Sequence, residues 1–157
     1  MTNLVIMLIL LCGPWVLAKT WRGFGPSAEY TAAAYGASLL FAFTASGHFF
    51  KADEMVTMLP DWLPMQSAIV AITGVLEIFI AVGMIFRRTR RMTGIVACLV
   101  LIAFFPANIY AALTWADMGG EYGPAYLLVR TPVQVIIFIW ILVFVVKAPD
   151  LARSTKT

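Results

Sequence analysis

The stretch TGVLEIFIAVG, residues 73–83, sets a single carboxyl, Glu77, in the middle of an otherwise apolar run. What that carboxyl does depends on whether the run lies in a membrane, and the rest of the chain says that it does. The 157 residues are 62% hydrophobic and 12% charged, with a mean hydropathy of +0.91. A soluble domain carries about twice that share of charge. The ionisable residues fall in short clusters between long apolar runs, as expected where only the loops meet water.

Five apolar runs are read at about 3–18, 28–50, 66–86, 93–116 and a last one ending at Val146. A span takes about 20 residues, so the first is short unless it extends through Trp21. The last must begin nearer Pro124, which draws Arg130 into the outer part of the bilayer. The expected architecture is therefore an all-α, polytopic transmembrane helix bundle of five spans. An N-terminal helix and basic linker occupy residues 1–27, and a four-helix membrane domain with a short tail occupies 28–157.

Orientation follows from the cations, which collect on the cytoplasmic side. Of the 11 Lys and Arg, Lys19, Arg22, Arg87, Arg88, Arg90, Arg91, Lys147, Arg153 and Lys156 fall on one side, against Lys51 and Arg130 on the other. This places the N-terminus outside and the C-terminus in the cytoplasm, with a bacterial inner membrane as the expected location. The small residues near Ala18 also fit a cleaved signal peptide. The missing basic n-region, and Lys19 and Arg22 following the run, favour a retained helix.

The net charge of +3 and the RRTRR cluster at residues 87–91 mark a cytoplasmic loop, and nucleic acid is not an expected partner. Cys12 and Cys98 stand singly in apolar runs, with no metal-ligand spacing, and no metal site is expected. The outer loop KADEMVTMLPDWLPMQ, residues 51–66, is apolar enough to lie against the bundle, with Trp62 at headgroup level. A substrate lid is the alternative.

Five polar side chains remain: His48, Glu77, Asn108, Arg130 and Gln134. An ionisable group at membrane depth costs ~3 kcal/mol or more and turns toward the bundle interior or a functional site. At about 1.5 Å per residue, Glu77 lies roughly 16 Å below Gln66, Asn108 about 12 Å below Ala116 and Gln134 about 15 Å below Pro124. Those three share a layer. Arg130, one turn from Gln134, reaches down toward Glu77 or up to headgroups. His48 lies nearer the outer end of its helix, and its contact with Glu77 is expected only if that helix continues beyond Phe50.

Small residues at Ala34, Ser38, Ala42 and Ser46, with Gly74 and Ala81 flanking Glu77, predict close helix approach. Pro106 is expected to free a carbonyl near Asn108. Unpaired, Glu77 would be neutral and donate a hydrogen bond; paired with Arg130, it would stay ionised.

The motifs GHF (47–49), MLPDWLP (58–64), TGVLEI (73–78), FPANIY (105–110) and RTPVQ (130–134), in this order and spacing, resemble the DoxX-like membrane proteins over roughly residues 30–146. The resemblance implies a compact four-helix membrane bundle in which His48, Glu77, Asn108, Arg130 and Gln134 occupy the polar motif positions. It also implies a link to redox chemistry, because the family takes its name from a small subunit associated with thiosulfate–quinone oxidoreductase. The extra N-terminal run before residue 28 departs from the plain pattern.

Two functional readings follow. In the first, a small redox-associated or accessory subunit holds a quinone-like or other apolar ligand in a pocket lined by Phe104, Phe105 and Trp115, with the polar side chains binding it or handling protons. In the second, a non-catalytic module assembles with a partner subunit or binds lipid, and the polar cluster only ties helices together. A nucleophilic enzyme is disfavoured, since Ser38, Ser46 and Thr73 have no identifiable His–carboxylate triad.

Overall fold

The computed structural model describes residues 2–21, 25–57, 59–117 and 123–147, and these are all-helical apart from the connecting turns. The order is α1 (Thr2–Thr20), α2 (Pro26–Phe50), α3 (Ala52–Val56), α4 (Gln66–Ile85), α5 (Arg90–Asp117) and α6 (Gly123–Ile141), extended by a π-helical turn, Leu142–Val146. The expected all-α class is what the chain shows. Among the described residues, two helices are long and apolar enough to cross a membrane, Gln66–Ile85 and Arg90–Tyr110. The apolar helices Leu4–Thr20 and Thr131–Val146 are shorter, at the two runs whose lengths were marginal in the sequence.

α2 is the hub, packed on α1 along one side and α4 along the other. It starts as its sequence dictates: extended Gly25 precedes Pro26 in the first turn, where a missing N–H costs nothing, and Glu29 complements the positive end of the helix. The shared core takes Leu11 from α1, Ala34, Ala37, Leu40 and Phe41 from α2, Ile80 and Met84 from α4, Ala97 from α5 and Ile137 from α6. α3 packs on α4 and the end of α2, while Pro60 is buried in the loop that follows. Gln66 Nε2 ties that loop down by donating to the Pro60 carbonyl at 2.8 Å. Trp62 is 77% exposed.

α1 is bound at both a backbone and a side-chain level. A Cβ placed on Gly36 would run into the Leu11 carbonyl oxygen, so the two helices cross where only glycine fits. One end is closed by rings: Trp15 meets Trp140 edge-on at 5.7 Å, and Phe144 stacks near Trp140 at 4.6 Å. Trp140 Nε1 also donates to the Ala33 carbonyl at 3.2 Å. These contacts span α1, α2, α6 and the π-helical turn.

Arg90 is no solvated member of the basic cluster. Its Nε and Nη2 donate to the Met84 and Ile85 carbonyls at 3.0 and 3.2 Å, its Nη1 reaches Thr31 Oγ1 at 3.4 Å, and its guanidinium lies over the Tyr35 ring at 5.7 Å. A cation on the last carbonyls of α4 satisfies orphan acceptors and complements the negative helix end. Its fork does so while reaching a second helix.

Gly36→Leu is expected to lower stability by about 1–3 kcal/mol through overpacking against the α1 backbone. Gly13→Leu, at a position with nothing within 4 Å of the added Cβ, should leave the midpoint unchanged. Unfolding of the detergent-solubilised protein reads both.

Candidate functional site

Glu77 faces inward. It is 6% exposed, on the same face of α4 as Val70, Gly74, Ile80, Ala81 and Met84, all buried. The opposite face presents Ile72, Phe79 and Val82 outward, Phe79 at 69% exposure. The helix is apolar all round, and its only acid is turned toward its neighbours, the arrangement expected where the surrounding medium is less polar than the interior.

His48 meets Glu77, although α2 ends at Phe50: Nε2 lies 3.7 Å from Oε1. Counting from helix ends misjudged the level of His48, because the ends of α2 and α4 are not flush. A Cβ built on Gly74 would sit 2.6 Å from His48 Cβ, so His48 is level with Gly74 and the first two turns of α4 rise beyond the end of α2. α3 and its loop fill that space. Side chains tilt toward the N-terminus of their own helix. In this antiparallel pair His48 therefore leans toward Glu77 and Glu77 leans back toward His48.

The other imidazole edge is held by α4. His48 Nδ1 is 3.0 Å from the Val70 carbonyl oxygen and 3.1 Å from Thr73 Oγ1. The Thr73 hydroxyl itself donates to the Ile69 and Val70 carbonyls, at 2.9 Å each. Glu77 Oε2, by contrast, is buried without a hydrogen-bond partner among the described residues.

Asn108 and Gln134 form a second pair. Asn108 Nδ2 donates to Gln134 Oε1 at 3.0 Å, and Gln134 Nε2 donates to the Leu101 carbonyl at 2.6 Å. Pro106 does not break α5, which runs through it. The missing N–H leaves the Ile102 carbonyl without its usual i+4 donor, and Gln134 seizes the carbonyl next to it. No hydrogen bond or ion pair between described side chains joins this pair to His48 and Glu77. The side chains of Arg130 and Trp115 lie outside the described residues. Phe104 is half-buried and Phe105 37% exposed.

The small-residue ridge divides. Steps of four residues turn a helix by about 40° each relative to its axis, so Ala34 and Ser38 are buried whereas Ala42 is exposed and Ser46 half-buried. Between α2 and α4 this leaves an open apolar groove of about 580 Å³, lined by residues including Ser38, Ala42, Ser46, Phe49, Ile78 and Val82. Ser38 Oγ donates to the Ala81 carbonyl at 2.7 Å and Ser46 Oγ to that of Phe43 at 2.6 Å, so both hydroxyls are engaged by backbone. Neither Glu77 nor Phe104 nor Phe105 lines this groove.

Thr73, the Val70 carbonyl and the Leu101 carbonyl are the members of these clusters that sequence reasoning did not assign to them. For Thr73 a signal existed: it precedes Glu77 by one helical turn and so shares its face. Backbone carbonyls carry no such signal.

The family described as Domain of unknown function (DUF8561) matches residues 37–145. The chain belongs to the DUF8561 family. The match begins inside α2 and ends in the π-helical turn, so it takes in both polar pairs and leaves out α1. No curated protein and no solved structure matches the chain.

Gly74→Ala should push His48 off α4 and cost about 1–3 kcal/mol in unfolding stability, since the added methyl would sit 2.6 Å from His48 Cβ and 3.2 Å from the Phe49 ring. The same substitution at Gly25, where nothing lies within 4 Å, should not.

Proposed function

We propose that this DUF8561 protein is a small integral membrane component, redox-associated or accessory to a larger complex, that holds a quinone-like or other apolar ligand at the His48–Glu77 pair. The observation that carries the reading is Glu77 itself: buried, facing an imidazole, and with Oε2 lacking a partner among the described residues. An unsatisfied buried oxygen is costly, and such atoms in native structures call for an explanation. A ligand hydroxyl supplies one.

Several observations support the membrane frame. The exposed faces of α4 and α5 carry Ile72, Phe79, Val82, Leu99 and Ile102, and two helices have the length and composition of spans. In the proposed arrangement α1, α2, α4, α5 and α6 all cross, α1 is retained, and the bundle sits in a bacterial inner membrane with its N-terminus outside and its C-terminus cytoplasmic. The five motifs resembling DoxX-like proteins all fall within the family match at residues 37–145, and that resemblance is the source of the redox association. Phe104, Phe105, Trp115, Arg130, Asn108 and Gln134 remain the candidates for completing a pocket.

The second reading, a non-catalytic assembly or lipid-binding module, draws on the Asn108–Gln134 pair, whose bonds tie α5 to α6 and ask for no ligand. Interhelical bonds of this type are worth about 0.6 kcal/mol on average. A substitution at Glu77 separates the two.

In detergent, decylubiquinol, the reduced form whose hydroxyls can donate to Oε2, should quench the intrinsic tryptophan fluorescence saturably, and Glu77→Leu should weaken that binding about tenfold by removing a buried hydrogen bond. Glu77→Gln should keep the fold and lose any proton uptake or release coupled to binding, read with an indicator dye in weak buffer. No saturable quench in the wild type would leave the scaffold reading standing.

A further inference from the structure

His48 is the only histidine in the chain, and its surroundings determine which of its nitrogens bears hydrogen. The Val70 carbonyl oxygen, 3.0 Å from Nδ1, can only accept. The Thr73 hydroxyl lies 3.1 Å from the same nitrogen with the Ile69 and Val70 carbonyls also at 2.9 Å, so it can accept from Nδ1 while giving its own proton to one of those carbonyls. A bare Nδ1 would put a lone pair against two oxygens. Nδ1 therefore carries the hydrogen, and the neutral ring presents its Nε2 lone pair to Glu77 Oε1 at 3.7 Å.

This has a consequence on the Glu77 side. A bare carboxylate opposite a bare Nε2 would be two acceptors facing each other in a buried, weakly screened setting. One proton, on either atom, removes the conflict. We propose that His48 and Glu77 form a pair sharing one exchangeable proton, with Thr73 and the Val70 carbonyl as positioning groups that hold the imidazole in its Nδ1–H form. Gly74 makes the arrangement possible, because a side chain there would collide with His48 Cβ and Cγ.

The pair also defines a ligand class, and this part rests on the ligand-binding reading above. Oε2 is the buried acceptor without a partner among the described residues. A neutral ligand with a weakly acidic hydroxyl, a phenol or hydroquinone, donates to it. The hydroxyl proton passes to Oε2 as the proton on Oε1 passes to Nε2, a transfer that requires the two side chains to close from 3.7 Å to hydrogen-bond distance. One O–H bond breaks at the ligand and one at Oε1, and two form, at Oε2 and Nε2. The ligand oxygen becomes anionic, the imidazole cationic, and Glu77 stays neutral throughout. No electron moves.

Nitrogen NMR of the protein labelled with ¹⁵N-histidine, in phosphatidylcholine nanodiscs, tests this at one residue without assignment ambiguity. The wild type should show one ring form, with protonated Nδ1 and with Nε2 displaced from the shift of a free acceptor by the shared proton. Glu77→Gln should move Nε2 while leaving Nδ1 protonated. Thr73→Val, which removes one of the two acceptors and leaves the Val70 carbonyl, should keep Nδ1 protonated but move its resonance, and Thr73→Ser, which keeps the hydroxyl, should restore it. A wild-type ring with bare Nδ1 would overturn the whole assignment, and a Thr73→Val spectrum identical to wild type would remove Thr73 from it. Hydroquinone added to the same nanodiscs should shift Nε2 further. If the ring form is as expected and hydroquinone shifts nothing, the ligand class fails and the proton-sharing pair stands.

Discussion

The close crossing of α2 over α4 at Gly74 is the constraint on which the polar site depends. With hydrogen in place of a side chain at that position, His48 Cβ sits in the space a methyl would take. The imidazole is thereby brought level with the second and third turns of α4, within reach of a carbonyl, a hydroxyl and a carboxyl from one helix face. Small residues serve such approaches in membrane bundles because apolar lipid gives helices no hydrophobic drive to associate, which leaves packing and hydrogen bonds to hold them together. Here the same closeness that supplies packing also assembles the chemistry.

Much of this was legible in the sequence, for identifiable reasons. Apolar runs bounded by charged clusters located the long helices, and Glu77 was bound to turn inward, since an acid has no favourable place on an apolar outer face. The pairing of Asn108 with Gln134 fits the shared depth computed from helix rise alone. The level of His48 was not legible. Depth counted from helix ends assumes flush ends, and α4 overreaches α2 by about two turns, a register set by Gly74 and by the loop tied down through Pro60 and Gln66. The four-residue ridge on α2 misled for a related reason: a step of four overshoots the 3.6-residue turn, so Ala42 and Ser46 rotate away from the stripe that Ser38 and Ala45 keep buried. Arg90 was hidden among like residues, because charge counting sees RRTRR as one cluster and only geometry shows which guanidinium folds back.

Among the described residues, different contacts are seen at the two ends of the bundle. At the end where Arg90 and the aromatic cluster lie, contacts support one another: rings from α1, α6 and the π-helical turn meet, the last carbonyls of α4 are taken by a guanidinium, and the Gly94 backbone comes close to Val145 and Val146 of the π-helical turn. Among the described residues at the other end are a short helix, a side-chain bond to a loop carbonyl and a surface ion pair between Lys51 and Glu54 at 3.0 Å, the last worth under about 1 kcal/mol.

The two polar pairs in the bundle differ in how fully their hydrogen bonds are met. Gln134 uses both ends of its amide, on Asn108 and on the Leu101 carbonyl; a pair of that kind locks α5 to α6. The pair across α2 and α4 is held as firmly on one side, with Nδ1 between two acceptors, yet it leaves a carboxyl oxygen buried and unmatched among the described residues. If helix tying were its only purpose, a glutamine at position 77 would offer a donor to His48 Nε2 and an acceptor besides, with no ionisable group to keep in oil. Glutamate adds one thing that glutamine lacks, a proton that can leave. The proposed proton-exchanging site is the reading under which the oxygen unmatched among the described residues, the fixed imidazole and the choice of acid over amide belong together.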